Sequence, residues 1–110
     1  MATLVICNDL FFQTKIETTA ALLGKPIKIV PDKETLAPAL KENPTLIIWD
    51  LNAGFNLVET AKLIKENSKA RIVAYVSHVQ TDLIKKAKEV GIDEIMPRSA
   101  FTIKLPQILQ

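Results

Sequence analysis

Two carboxylates, a hydroxyl and a guanidinium stand at the ends of four short apolar runs. Leu4 to Cys7 runs into Asn8 and Asp9, Leu46 to Trp49 into Asp50, Ile72 to Val76 into Ser77 and His78, and Ile95 to Pro97 into Arg98 and Ser99. If these runs are neighbouring parallel strands, all four polar clusters come out on one edge of one sheet, and folding gathers them into one crevice. Open parallel sheets bind ligands there, outside the carboxyl ends of their strands and near the point where strand order reverses.

The elements that must position these groups follow from periodicity. Thr3 to Cys7 has the apolar, β-branched content of a buried strand. From Leu10 to Leu23, Phe12, Ile16, Ala20 and Leu23 recur at helical spacing, and Gly24 supplies a stop. Pro26 to Val30, charged at Lys28, reads as an edge or near-edge strand. Asp32 to Glu42 looks helical through Leu36 and Leu40, but Pro38 lies inside it, where its ring clashes with the preceding turn. That helix is expected to be short, kinked or late in starting. Thr45 to Trp49 is the most apolar strand and is placed centrally.

Beyond Asp50, a turn with Gly54 leads to Asn56, a helix cap followed three residues later by Glu59, with Leu57, Ala61 and Ile64 as the inner stripe. Arg71 to Val76 is a strand. A helix from Thr81 to Val90 turns Ile84, Ala87 and Val90 inward and stops at Gly91. Ile92 to Met96 makes the fifth strand. The tail from Thr102 onward, with Ile103, Leu105, Ile108 and Leu109, suits a last helix with Pro106 in its first turn. Five strands alternating with five helices give a three-layer α/β/α sandwich, with right-handed crossovers placing helices on both faces of a parallel sheet.

Composition narrows the function classes. The 110 residues are enough for one domain, spanning 1–110, with one core. Fourteen basic against twelve acidic residues leave a charge of +2, too mild a surplus for a nucleic-acid binder. Lys85, Lys86 and Lys88 cluster as on a solvated helix face. No apolar stretch approaches the roughly 18 residues of a membrane span, and the amino terminus lacks the basic start and apolar stretch of a secretory signal. A cytoplasmic location is the expectation. The single cysteine, Cys7, reads as a small buried hydrophobe without a redox role.

Several polar residues have structural roles open to them as well. Asp50 can bond backbone amides of its own loop, and Asp9 can cap the first helix while also serving the crevice. Ser77 taken singly is a loop residue. His78, the only histidine, has no partner at ligand or triad spacing, so an enzymatic site built on it and Ser77 is weakly supported. Phe11 and Phe12 differ by about 100° on a helix and cannot share one core; either one is exposed or it is covered by a loop.

Asn8 and Asp9, Asp50, Ser77 and Arg98, together with the stretch AKEVGIDEIM from Ala87 to Met96, resemble the receiver domain of bacterial two-component response regulators over essentially the whole chain. The resemblance implies a flavodoxin-like fold with strand order 2-1-3-4-5 and a regulatory rather than enzymatic role; because the chain ends after the last helix, no output domain is expected. The resemblance also implies protein partners, namely a histidine kinase or a downstream target, and a monomer or a homodimer through a surface that includes Lys85, Lys88, Met96 and Lys104. Asp50 matches the phosphoacceptor, Ser77 the hydroxyl that bonds a phosphoryl oxygen, and Arg98 the position of the family's lysine. Asp9, Asp50 and the backbone carbonyl of Asn52 match ligands of a magnesium ion. A carboxylate attacks a phosphoryl group only when the charge repulsion between them is neutralised, which is why a hard metal and a fixed cation belong in such a site.

Four departures bear on that likeness. Asn8 replaces the first carboxylate of an acidic pair and weakens the metal site at its outer position. Arg98 brings a longer planar fork that favours paired contacts to phosphate or carboxylate; it can reach a phosphoryl group or lock Asp50 in a resting ion pair. Ile95 takes the place of the aromatic conformational switch, and the loop from Leu51 to Asn56 is shortened. Two expectations result: a receiver-like module phosphorylated on Asp50, or a degenerate receiver that binds proteins independently of phosphorylation.

Overall fold

The computed structural model describes residues 3–77 and 80–110. Strands β1 (Thr3–Ile6), β2 (Ile27–Val30), β3 (Leu46–Asp50), β4 (Arg71–Val76) and β5 (Glu94–Pro97) alternate with helices α1 (Leu10–Leu22), α2 (Lys33–Leu40), α3 (Leu57–Asn67), α4 (Thr81–Glu89) and α5 (Arg98–Leu109). All pairings are parallel, in the order β2-β1-β3-β4-β5. This is the expected flavodoxin-like sandwich, with β3 central and β2 at an edge.

Strand parity divides the core into two. Leu4, Ile6, Ile47, Trp49, Ile72, Ala74 and Val76 face α2, α3 and α4 through Leu36, Leu40, Ala61, Ile64 and Ala87. The alternate residues Val5, Cys7, Ile48, Val73 and Tyr75 face α1 and α5 through Phe12, Ile16, Phe101 and Leu105. Both faces of the sheet are therefore covered, as a parallel sheet requires. Because side chains alternate, Asp50 falls in the row of Leu46 and Ile48 on the α1/α5 side, in register with Tyr75 on β4.

Local chemistry fixes the element ends. Asp32 caps α2 by accepting from Thr35 N at 2.9 Å, and Asn56 caps α3 by accepting from Glu59 N at 2.9 Å. Gly24 has φ +65°, and the chain leaves α1 with Lys25 N bonded to Ala20 O at 2.9 Å and Gly24 N to Ala21 O at 3.1 Å, a left-handed stop that a side chain would strain. Pro38 lies inside α2, which spans eight residues, the short helix expected. α5 differs from expectation. It starts at Arg98 rather than Thr102, so Pro106 is inside the helix and not in its first turn. The earlier start buries Phe101 with Leu105, Ile108 and Leu109 along one stripe, and that packing outweighs the amide hydrogen bond lost at Pro106.

Candidate functional site

The carboxyl ends of β1, β3 and β5 bring Asp9, Asp50 and Arg98 together. Arg98 Nη1 lies 3.5 Å from Asp9 Oδ2, and Arg98 Nη2 lies 3.8 Å from Asp50 Oδ2. At these separations the contacts are charge attractions rather than well-formed hydrogen bonds. One guanidinium thus bridges two carboxylates 41 positions apart in the sequence.

Each carboxylate divides its oxygens between two duties. Asp9 caps α1: its Oδ1 accepts from Phe11 N at 3.0 Å and Phe12 N at 3.3 Å, leaving Oδ2 for the arginine. Asp50 Oδ1 accepts from Asn52 N at 2.9 Å, leaving Oδ2 for the arginine. The local bonding roles open to Asp9 and Asp50 in the sequence therefore coexist with their convergence.

Asp50 is only 3% exposed. Burial pushes its carboxyl above the usual range, opposed by the Asn52 amide and by Arg98, with Asp9 adding a small further rise. Beneath it, Cys7 Sγ lies 4.0 Å from Asp50 Oδ2, and the Tyr75 hydroxyl donates to that sulfur at 3.4 Å. Burial also raises the Cys7 thiol and the Tyr75 phenol, so both stay protonated at neutral pH. Cys7 is the buried hydrophobe expected, and it also links Tyr75 to the floor of the site.

Arg98 is positioned by packing as well as by charge. It is the first residue of α5, where a cation opposes the helix dipole, and the two carboxylates offset that cost. Its guanidinium lies over the Phe12 ring at 4.8 Å and near the Tyr75 ring at 5.8 Å. Phe12, Tyr75 and Phe101 pack together with ring centroids 4.6 to 5.8 Å apart. Arg98 Nε is buried and has no hydrogen-bond partner among the described residues.

Asn52 ties two loops together. Its side-chain oxygen accepts from Ser77 N at 2.8 Å, and its side-chain nitrogen donates to Gln80 Oε1 at 2.8 Å. Ser77 is thereby held on the same edge as Asp50, while His78 lies outside the described residues. Asn8 donates its amide to Ala53 O at 2.6 Å and so braces the loop after β3. Phe11 is 92% exposed beside the site, and Phe12 is buried. Of the paired phenylalanines, one is indeed exposed. Tyr75, Phe101 and Gln80 were not legible as site residues, since their roles depend on strand register and helix packing.

A hard dication fits this arrangement poorly. The oxygens that Asp9 and Asp50 would offer it are the two that face Arg98, and Asn8 adds no charge. Among the described residues no group of three His, Cys, Asp or Glu side chains is placed to hold a metal.

No protein-family model matches the chain, and no curated protein does. Solved structures do. The N-terminal domain of a response regulator/sensory box/GGDEF three-domain protein from Carboxydothermus hydrogenoformans is similar at a TM-score of 0.80 and 21% identity, over 98% of this chain and 90% of that one. The signal receiver domain of a response regulator from Bermanella marisrubri gives 0.80 and 14%, over 99% of this chain and 98% of that one. The chain has the fold of a response-regulator receiver domain. A third receiver-fold neighbour, a response regulator from Burkholderia pseudomallei solved with a phosphorylated aspartic acid, a calcium ion and citrate, gives 0.77 and 18%, over 99% of this chain and 66% of that one.

Proposed function

We propose that the chain is a receiver-type signalling module, not an enzyme, which changes state at the Asp9, Asp50 and Arg98 cluster and passes that state on by docking to a protein. The observation that carries this reading is the convergence itself: one guanidinium between two carboxylates at the carboxyl edge of a receiver fold. Mild net charge gives no reason to add nucleic acid to its partners. No described helix is long and apolar enough to cross a membrane.

In the first form of this reading Asp50 accepts a phosphoryl group. A carboxylate oxygen of Asp50 attacks phosphorus, the bond from phosphorus to the donor's leaving group breaks, and an aspartyl phosphate results. Arg98 supplies positive charge beside the incoming oxygens, and Ser77, held by Asn52, offers them a hydroxyl. The Burkholderia neighbour, with its phosphorylated aspartic acid, supports this form by analogy of fold.

In the second form the module binds its partner without phosphorylation. The burial of Asp50, with both of its oxygens already partnered, favours this form. Incubation of the protein with acetyl phosphate, with and without magnesium, followed by intact mass measurement separates the two. A phosphoryl increment that disappears in Asp50→Asn supports the first form; no increment under either condition supports the second.

A further inference from the structure

We propose that the Arg98 guanidinium is the resident cation of this site, occupying the carboxylate oxygens that a divalent metal needs, so that the protein carries a latent metal site that opens only when Arg98 is removed. The inference rests on reading the Asp9, Asp50 and Arg98 cluster as the functional site, and it is independent of whether Asp50 is phosphorylated.

Three features lead there. First, the division of oxygens is similar in both acids: each Oδ1 accepts from backbone N–H and each Oδ2 faces the arginine, that of Asp50 having only the weak thiol of Cys7 at 4.0 Å besides. The unspent acceptor capacity of both side chains is therefore directed at one place, and a guanidinium fills it. Second, Arg98 does not depend on the carboxylates alone for its position. The Phe12 and Tyr75 rings lie against its charged head, and its Nε is sealed from water. A cation held by packing is not displaced merely because another arrives. Third, the total negative charge is small. Two carboxylates with Arg98 leave one net negative charge, and Asn8 spends its amide nitrogen on Ala53 O. A dication entering beside Arg98 would meet a like charge at the same two oxygens, and with Arg98 gone it would meet two uncompensated carboxylates.

Arg98→Met is the decisive substitution, because its unbranched side chain can keep the packing on Phe12 and Tyr75 while removing the charge. The whole protein is titrated with magnesium and with manganese by isothermal calorimetry, as wild type, as Arg98→Met and as Arg98→Met with Asp9→Asn. The expected result is no measurable binding in wild type, binding in Arg98→Met at least about tenfold tighter than the weakest affinity the titration detects, and loss of that binding in the double variant. If Arg98→Met does not fold, as judged by circular dichroism, Arg98→Lys takes its place, since a single ammonium cannot span both acids and a smaller gain is expected. Equal metal affinity in wild type and the arginine variant overturns the proposal, and so does absence of binding in every folded variant. Failure to form an aspartyl phosphate leaves these titrations unaffected, so the two readings fail separately.

Discussion

The guanidinium carbon of Arg98 lies 4.8 Å from the centroid of the Phe12 ring, so the helix that Asp9 caps also supplies the floor on which the arginine rests. Charge and packing in the site are thereby coupled through one turn of α1. Phe12 is buried and touches the rings of Tyr75 and Phe101. Phe12→Ala removes that floor and leaves a cavity, with an expected loss of about 3 kcal/mol or more in urea denaturation. The same variant should free the Arg98 side chain, seen as averaging of its guanidinium resonances by NMR.

The raised carboxyl of Asp50 predicts a pH dependence. Between the ordinary value of 3.8 and its raised folded value, the folded state binds more protons at this residue than the unfolded chain does. Its contribution to stability therefore falls as pH rises through that window and is least favourable above it. Asp50→Asn removes the dependence. The melting temperature of Asp50→Asn relative to wild type should be higher at about pH 7 than at about pH 4. A difference that stays constant across that range would count against the burial of a charged Asp50.

Asn52 is the only described link between the loop after β3 and residues Ser77 and Gln80 for which both halves of a side-chain amide are used. Asn52→Ala loses two hydrogen bonds at an exposed place, with an expected cost of about 1 kcal/mol. Amide hydrogen exchange should quicken at Ser77, whose N–H loses its acceptor, while the β3 and β4 amides keep their protection.

The five strands and both helical layers are legible because each strand is a short apolar run bounded by polar residues, and each helix repeats its apolar positions every three or four residues; the strand order comes only with the resemblance to receiver domains. Asp9, Asp50 and Arg98 could be placed on one edge for the same reason: each ends such a run. What could not be read was the division of each carboxylate's oxygens, the position of Arg98 on Phe12 and Tyr75, and the tie from Asn52 to Gln80. Those depend on the register of β3 with β4 and on how α1 and α5 pack, which are long-range facts. The start of α5 was misplaced because Pro106 reads locally as a first-turn residue, whereas burial of Phe101 extends the helix back to Arg98.

Pro106 also gives a test of that balance. It is exposed and occupies the ninth of the twelve positions of α5, where an amide would otherwise bond the carbonyl of Thr102 one turn earlier. Alanine in a helix interior is favoured over proline by about 3 kcal/mol. Part of that is offset because the unfolded chain gains freedom when proline is removed, an effect of up to about 1 kcal/mol. Pro106→Ala should therefore stabilise the fold by about 1 to 2 kcal/mol, raising the melting temperature by roughly 4 °C or more. The site itself should be unchanged, because Arg98 is held at the other end of α5 by Asp9, Asp50 and the Phe12 ring. A lower melting temperature would mean that α5 is bent at Pro106 to keep Ile108 and Leu109 in the core, and that straightening it costs more packing than the restored hydrogen bond returns.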